Sequence, residues 1–390
     1  MKFTEYVEVN PKTNLKKGEY APFVEMANVS ITYREPEKIE YKKYTGGPKF
    51  QEGDSVVARI EPCLQNGKRF FWKSDKIGFG STEYIVFRAK EGKMDSKYLF
   101  YFLKTDYIKK SMVSSMVGAT GRQRVNNDVF GQIEIAVPNI EKQKKIGRAL
   151  FLYDDLIENN QKKIKLLEEA AQRLYKEWFV DLHFPGHENT KIVDGVPEGW
   201  NWCKLEDAIQ FDPKVTLTKE RMKQFVPMSA LSTSSMVLDE SQFTETTTNS
   251  GSKFQNGDTL LARITPCLEN GKTAYVSGLE SDEGTVGSTE YIVMRAKTIN
   301  SYMVYLLART DDFRQSAINS MSGSDGRQRV KSDKLKMLDY LRPTSELVEK
   351  FENVEEPIFE KIYRLSKQMQ QARQARDLLL PKLMSGEVEV

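Results

Sequence analysis

The chain has 390 residues, of which 39% are hydrophobic and 29% charged, and its formal net charge is +3. This composition excludes a largely disordered chain, and the absence of an apolar run of about 18 residues excludes a helical membrane protein. Three cysteines suggest no disulfide framework, and the start M-K-F-T-E-Y lacks the basic and apolar regions of a signal peptide. We therefore expect a cytoplasmic protein of several domains, whose overall charge does not by itself predict a nucleic-acid partner.

The chain contains an internal duplication. K-F-Q-E-G-D-S-V-V-A-R-I-E-P-C-L-Q-N-G-K at 49–68 recurs as K-F-Q-N-G-D-T-L-L-A-R-I-T-P-C-L-E-N-G-K at 253–272, with 14 identities in 20 positions. Unrelated residue pairs match roughly once in twenty. Two further motifs recur: G-S-T-E-Y-I-V-F-R-A-K at 80–90 as G-S-T-E-Y-I-V-M-R-A-K at 287–297, and G-R-Q-R-V at 121–125 unchanged at 326–330. The pattern predicts two copies of one unit of roughly 190 residues, each able to hold its own core.

Each copy opens with segments typical of strands joined by tight turns. In the first copy S-V-V-A-R-I at 55–60 alternates, which predicts a strand with Val56 on its inner face and Val57 and Arg59 on its outer face. The segment 82–88 predicts a second strand.

A helix is predicted after these strands, beginning near Ser96 as its N-cap, with a counterpart at Ser301. A glycine-rich loop follows in each copy. It leads through G-R-Q-R-V to a predicted last strand that ends at Pro138 or Pro343.

Beyond each of these prolines the apolar spacing becomes that of a long helix. The apolar stripe begins at Ile146 in the first copy and at Phe351 in the second, and its spacing stays near 3.5 residues over about four heptads. This predicts a coiled-coil seam that includes Val354, with Asn160 placed to fix its register, and a second helix that ends near Pro381.

Catalytic signatures are missing from the sequence. It contains no P-loop, no G-x-S-x-G, no zinc-type C-x-x-C and no H-E-x-x-H. The two histidines, His183 and His187, leave two alternatives open, a metal site or a linker turn, and the intervening proline and glycine favour the linker turn.

The G-R-Q-R-V loops are the strongest candidates for contact with DNA, because Arg and Gln side chains hydrogen-bond base edges or hold phosphate oxygens. A pair of arginines on one surface loop is usually only solvated, but the unchanged doubling favours a function. The candidates are Arg122, Gln123 and Arg124 in the first copy and Arg327, Gln328 and Arg329 in the second.

Four other doubled cations are candidates for phosphate contact. Arg59 and Arg263 fall on the predicted outer strand face, and Lys68 and Lys272 follow the N-G turn. For these four residues a purely structural role is the open alternative.

Taken together, these motifs resemble the specificity subunit of type I restriction-modification enzymes. The resemblance rests on the doubled motifs, on W-F-V-D-L-H-F-P-G-H at 178–187 and on the terminal L-L-L-P-K-L-M-S-G-E-V, and it spans nearly the whole chain. One departure is that the first copy has no equivalent of G-V-P-E-G-W-N-W, which opens the second.

The resemblance implies an α+β protein with two tandem α/β target-recognition domains, each followed by a long helix. The two helices would pack as an antiparallel coiled coil with pseudo-twofold symmetry. The expected divisions are a first target-recognition domain at 1–138, a central helical spacer at 139–190, a second target-recognition domain at 191–343 and a C-terminal helical spacer at 344–390.

The resemblance also implies that each domain reads one half of a bipartite site in double-stranded DNA. The helices would dock two modification (methyltransferase) subunits and, in the full complex, two restriction subunits. Catalysis would belong to those partners, with S-adenosylmethionine on the modification subunits and ATP with Mg²⁺ on the restriction subunits. No cofactor, metal or membrane contact is expected of this chain.

Residues that are identical in both copies cannot make two domains prefer different sequences, so the doubled residues should fold the domain or hold the DNA backbone. Sequence choice should come from segments that differ, roughly 31–48 and 69–79 in the first copy and 233–252 and 273–286 in the second. A duplicated coiled-coil scaffold or regulator without sequence-specific DNA binding is the alternative, and a self-contained methyltransferase or nuclease is a further one.

Overall fold

The structure, a computed structural model, describes residues 1–324 and 326–389. The chain divides into two compact units, one formed by Met1–Asn159 with the segment from Gln368 onward, the other by Asn160–Lys367. We call them the first and the second unit. No helix of the described residues is long and apolar enough to cross a membrane.

The first unit contains ten strands, arranged as two four-stranded sheets and a hairpin. One sheet has the order β1-β8-β5-β6, the other has the order β3-β2-β7-β4, and β9 pairs with β10. The strands are β1 Val7–Val9, β2 Tyr20–Val24, β3 Glu40–Lys43, β4 Lys49–Phe50, β5 Ser55–Ala58, β6 Arg69–Phe71, β7 Gly78–Gly80, β8 Tyr84–Ala89, β9 Met116–Val117 and β10 Arg124–Val125. The helices that begin in this unit are α1 Ser96–Phe102, α2 Asp106–Ser114 and α3 Ile140–Tyr175.

The second unit repeats the strand order of the first, as the duplicated sequence predicts. Its sheets have the orders β14-β21-β18-β19 and β16-β15-β20-β17, with two additional pairs, β11-β12 and β13-β22. The strands are β11 Ile192–Val193, β12 Val196–Pro197, β13 Asn201–Lys204, β14 Ile209–Phe211, β15 Lys223–Val226, β16 Thr244–Thr246, β17 Ser252–Phe254, β18 Thr259–Ala262, β19 Thr273–Tyr275, β20 Thr285–Gly287, β21 Tyr291–Ala296 and β22 Asp339–Arg342. The helices that begin here are α4 Leu205–Ala208, α5 Ser301–Ala308, α6 Asp311–Asn319, α7 Ser332–Lys336 and α8 Ser345–Ser385.

Short helical turns complete the secondary structure. Helix α3 continues into a π-helical turn at Lys176–Val180. The 3₁₀ turns are Phe3–Glu5, Met26–Asn28, Asn127–Gly131, His187–Asn189, Met228–Ala230 and Glu240–Gln242.

Strand β5 is buried on both faces, which corrects the predicted outward face of residues 55–60. Val56 is 0% exposed and packs with Phe50 and Trp72, whereas Val57 is 1% exposed and packs against helix α1. Because the sheet lies between an aromatic cluster and the helices, side chains on both faces meet protein.

The helix after the strands begins at Ser96, but its N-cap is Asp95, not Ser96. The Asp95 carboxylate accepts a hydrogen bond from the backbone N–H of Tyr98 at 2.9 Å. Asn300 does the same for Met303 in α5. The last strand predicted before Pro138 is reduced to a single antiparallel bridge between Glu134 and Lys2. The strand predicted before Pro343 is confirmed as β22, which ends at Arg342.

Most of the predicted apolar stripe is buried, as at Ile146 and Ile362, but one predicted position of α8 is wrong. Val354 is 42% exposed, whereas Glu355 is 0% exposed. The buried face of α8 therefore runs from Phe351 through Glu355 to Phe359, with a spacing of four residues instead of three at the first step. Helix α8 also continues past Pro381, where Leu383 is 4% exposed in the core of the first unit and so holds the last turn in place.

Candidate nucleic-acid interface

The last arginine of G-R-Q-R-V and the glutamate of G-S-T-E-Y form one structural feature in each unit. The Arg124 guanidinium donates to both carboxylate oxygens of Glu83 at 2.7–3.0 Å, which raises the pKa of Arg124. Arg329 donates to Glu290 at 2.7–3.0 Å, which lowers the pKa of Glu290. These bidentate pairs tie the glycine-rich loop to the neighbouring strand.

The glutamines of the loops are anchored through their backbones. The carbonyl of Gln123 accepts from the N–H of Glu61 at 3.0 Å, and the carbonyl of Gln328 accepts from the N–H of Thr265 at 3.1 Å. Both glutamine residues are half-buried. The loop is therefore fixed to the segment that follows β5 or β18.

The first arginine of each loop is free to meet a ligand. Arg122 and Arg327 are exposed, at the tips of turns that contain glycines with positive φ, such as Gly121 and Gly326. Within the part of the chain that the structure describes, neither guanidinium has a hydrogen-bond or ion-pair partner. Of the six predicted loop residues, these two are the exposed arginines that are not paired with a glutamate.

Arg59 and Arg263 are half-buried instead of lying on an open strand face. Arg59 donates from one Nη to the carbonyl of Val125 at 3.0 Å. In both arginines the Nε–H is buried and has no hydrogen-bond partner among the described residues. Each of these side chains therefore keeps an unsatisfied donor at the same place in the two units.

Lys68 and Lys272 hold a 3₁₀ turn. The Lys68 ammonium donates to the carbonyl of Met26 at 2.7 Å, and the Lys272 ammonium donates to that of Met228 at 2.8 Å. An ammonium has three N–H donors, so each lysine keeps capacity for a second partner. Their contact with phosphate stays a prediction.

A cavity of about 610 Å³ lies in the first unit beside Arg59. Its lining includes Lys12, Lys49, Thr82 and Tyr84. These residues were not among the predicted site residues. The duplication could have indicated three of them, because Lys49 opens the doubled K-F-Q stretch and Thr82 and Tyr84 belong to the doubled G-S-T-E-Y.

The sequence left open whether the two histidines form a metal site, and their contacts are those of a turn. The rings of His183 and His187 lie 5.3 Å apart, and Nδ1 of His187 is 2.9 Å from the carbonyl of Phe184. Among the residues described, no group of three or more His, Cys, Asp or Glu side chains could hold a metal ion.

Comparisons with known proteins find similarity to one group of proteins. The family model described as "Type I restriction modification DNA specificity domain" matches residues 7–169. The MjaIX type I restriction enzyme specificity subunit of Methanocaldococcus jannaschii is 27% identical over 305 residues, which cover 76% of this chain and 69% of that protein. The chain is therefore similar to type I restriction-modification specificity subunits, through the family model in its first part and through this relative over three quarters of its length.

Two further matches differ in extent. The EcoAI specificity subunit of Escherichia coli is 34% identical over 140 residues, which are 35% of this chain and 24% of that relative. A crystal structure of the type I restriction-modification S subunit from M. genitalium superposes with a TM-score of 0.58 at 14% identity, covering 98% of this chain and 95% of that one. This second likeness shows that the fold is shared.

Proposed function

We propose that this chain is the DNA sequence-specificity subunit of a type I restriction-modification complex. Each of its two repeated domains would read one half of a bipartite site in double-stranded DNA. The observation that carries the proposal is the duplication: two units have the same strand order and the same anchored G-R-Q-R-V loop, and the first of them matches the model of a DNA specificity domain. A chain with two like domains suits a target with two parts.

Residues that are identical in the two copies and residues that vary would have different roles. Arg122 and Arg327, being identical and exposed, would grip the phosphate backbone in the same way in both halves. Gln123, Arg124 and their counterparts would shape the loop, since Arg124 is already paired with Glu83. Lys68, Lys272, Arg59 and Arg263 would contribute positive charge near the backbone. Base choice would fall to exposed residues of the segments that differ.

The exposed parts of the variable segments narrow that choice. Within 69–79 the strand Arg69–Phe71 is buried, so only the loop at 73–77 can reach a base edge. Within 31–48 the edge strand β3 is largely exposed, with Tyr41 58% exposed and Lys42 beside it. The counterpart β16 carries T-E-T, a different set of donors and acceptors.

Partner subunits would supply catalysis. Two modification subunits would bind S-adenosylmethionine, and two restriction subunits would bind ATP and Mg²⁺. The long helices are the proposed docking elements, paired as an antiparallel coiled coil. Contacts inside the second unit support that pairing: the ring of Tyr175 lies 6.1 Å from that of Phe351, and Asn160 Nδ2 lies 3.5 Å from the Leu365 carbonyl.

Selection from a random pool of double-stranded DNA tests the function. The full chain is purified with its modification subunit, and bound DNA is recovered on filters and sequenced. Enrichment of two short motifs at a fixed spacing is expected. Recovery of DNA without any bipartite motif would favour the scaffold alternative.

Replacing the exposed loop arginines tests whether these identical residues contact the phosphate backbone. In the Arg122→Gln/Arg327→Gln variant, affinity should fall by the same factor for the selected site and for a scrambled duplex, and the slope of log K against log salt should become shallower by about 2. The matched control is Lys90→Gln/Lys93→Gln in the turn that follows β8, which should leave the slope unchanged. Loss of discrimination at a single base pair would contradict a backbone role.

A further inference from the structure

The cavity of the first unit is strongly basic. Lys12, Lys49 and Arg59 line it, and no acidic side chain does. Its volume of about 610 Å³ lies within the range of pockets that hold drug-sized ligands, so a phosphodiester with an adjoining sugar has room. The side chains around it therefore present positive charge with no carboxylate to neutralise it.

Two hydrogen-bonding groups in the cavity wall are unsatisfied. Tyr84 is 2% exposed, and its hydroxyl has no hydrogen-bond partner among the described residues. The Arg59 Nε–H is in the same position. A buried donor without an acceptor is costly, and a small rotation toward a bound anion would offset that cost.

The second unit repeats the residues that make this cavity basic. Lys12, Lys49 and Arg59 correspond in order to Lys214, Lys253 and Arg263, and Thr82 and Tyr84 to Thr289 and Tyr291. The Nε–H of Arg263 is also buried and without a partner among the described residues. Two copies that differ widely elsewhere have kept the same cationic set.

The backbone holds these residues in the same way in each unit. Lys49 pairs with Phe79 across β4 and β7, and Lys253 pairs with Val286 across β17 and β20. The N–H of Arg59 bonds to the carbonyl of Glu83 at 2.8 Å. The equivalent bond, from Arg263 to the Glu290 carbonyl, is 2.9 Å.

One residue of the frame differs. Asn10 lines the cavity in the first unit, and its N–H bonds to the Val86 carbonyl at 2.7 Å. Asp212 makes the same 2.7 Å bond, to the Val293 carbonyl. The second cationic set therefore has a carboxylate close to it, which reduces its attraction for an anion.

We propose that Lys12, Lys49 and Arg59 form a seat for a backbone phosphate of the DNA, and that Lys214, Lys253 and Arg263 form its weaker counterpart. The inference rests on the proposed function, which brings DNA to both units. Identical residues cannot distinguish two half-sites, whereas a phosphate is the same at every step of the duplex. Lysine ammonium groups and an arginine guanidinium are the side chains that bind phosphate most strongly.

The test measures salt dependence with the full chain and its modification subunit. Binding of the selected duplex and of a scrambled duplex is titrated between about 50 and 200 mM salt. In Lys12→Gln/Lys49→Gln the slope of log K against log salt should become shallower by about 1, because one phosphate contact is lost, with equal fold-losses of affinity for the two duplexes. In Lys214→Gln/Lys253→Gln the change should have the same sign and be smaller. The Lys90→Gln/Lys93→Gln control should not change the slope.

The outcomes separate this proposal from the proposed function. If the unsubstituted chain selects a bipartite site and Lys12→Gln/Lys49→Gln leaves the slope unchanged while its melting temperature is retained, the phosphate seat is wrong and the function stands. If that variant loses affinity only for the selected duplex, the cavity reads bases and the proposal is also overturned. If calorimetry shows that inorganic phosphate binds in the cavity, and the slope of log K against log salt for DNA is unchanged in Lys12→Gln/Lys49→Gln, the cavity is a site for a free anion instead. If the unsubstituted chain selects no bipartite site, the function itself fails.

Discussion

The two units share the contacts inside their sheets and differ in the contacts that attach those sheets to the long helices. Inside the first unit, Arg88 donates to both carboxylate oxygens of Asp54 at 2.7 Å. Inside the second, Arg295 makes the same two bonds to Asp258 at 2.7 Å. The aspartate is the last residue of the doubled K-F-Q-x-G-D, so this pair explains why that residue recurs.

The attachment of the first unit is ionic. Arg34 is 1% exposed, and its Nη2 lies 2.6 Å from both Asp155 and Glu158 of helix α3. Its guanidinium also lies 4.2 Å from the ring centroid of Phe151. The ammonium of Lys73 approaches Glu158 at 3.4 Å.

At the aligned position the second unit attaches to α3 through neutral donors, and its ion pair with a long helix lies elsewhere, between Glu240 and Lys367 of α8 at 2.6 Å. Met236 occupies the position aligned with Arg34, and its backbone N–H donates to Glu168 of α3 at 2.8 Å. The Ser235 hydroxyl donates to the same carboxylate at 2.9 Å. The contacts that fold each sheet therefore recur in both units. At the helix, both units keep a backbone N–H bond to a glutamate of α3, since the N–H of Arg34 donates to Glu158 at 3.2 Å, whereas the side-chain contacts differ.

Removing the shared arginine should have the largest effect, and an equal one in both units. Arg88→Ala leaves Asp54, which is 0% exposed, without its counter-ion, and Arg295→Ala does the same to Asp258 at 1%. Each change should cost about 3–5 kcal/mol of unfolding free energy. Denaturant titration, with hydrogen exchange to assign the loss to one unit, measures it. A loss of stability from only one of the two variants would show that the arginine–aspartate pair does not have the same role in the two units.

Removing Arg34 should destabilise the first unit alone. Arg34→Ala leaves the buried Glu158 without its guanidinium partner, but the Lys73 ammonium remains close to Glu158. The expected loss of unfolding free energy is therefore about 3 kcal/mol. Hydrogen exchange should show faster opening of peptides in the first unit. Arg34→Lys serves as the control, since it keeps the charge and loses the second hydrogen bond, and a loss there as large as with alanine would show that the geometry of the guanidinium decides.

The long helices offer a third comparison, at aligned positions. The first copy buries Leu150, whereas the second buries Glu355, whose carboxylate oxygens have no hydrogen-bond partner among the described residues. Burial raises the pKa of Glu355 to about 7. Since the folded chain then holds a proton that the unfolded chain releases, stability should fall as pH rises from the ordinary glutamate pKa to about 7.

Glu355→Gln should remove that pH dependence. At pH 8 the variant should be more stable than the unsubstituted chain, by up to about 3 kcal/mol, and near pH 4.5 the two should be alike. Thermal melts across this range measure the difference. Equal melting temperatures at every pH would show that the carboxylate finds a partner in solution.

Ser235→Ala should have the smallest effect. The change removes one of two hydrogen bonds to the Glu168 carboxylate, and the backbone N–H of Met236 keeps the other, so a loss of about 1–2 kcal/mol is expected in the second unit. Hydrogen exchange of peptides in that unit measures it. A loss equal to that of Arg34→Ala would remove the contrast between ionic and neutral attachment.

The sequence predicted most of the framework, because the duplication marked it. The repeated strand order, the long helices and the buried Asn160 follow from patterns that both copies share or from a sustained period. Glu355 was missed because an apolar period passes over a glutamate, although alignment with Leu150 would have placed it on the buried face. The cap at Asp95 was missed by one residue, because serine and aspartate cap equally well.

The candidate site was predicted less completely, since pairing between distant residues leaves no local pattern. Arg124 was a candidate for DNA contact, and only the fold shows that its partner is Glu83, 41 positions away. Arg122 has no such partner among the described residues, so it remains a candidate for contact with DNA. Lys12 and Lys49 become neighbours only when the chain after β1 passes beside β4.

The central claim is that the shared framework positions the DNA and that the variable segments choose its sequence. Mapping methylated adenines in DNA from cells that express the chain with its modification subunit tests this most directly. The unsubstituted chain should mark one bipartite motif. A chain in which 233–252 and 273–286 are replaced by 31–48 and 69–79 should keep the first half-motif and exchange the second for a copy of the first. An unchanged second half-motif, in a swapped chain that still assembles and methylates, would contradict the account.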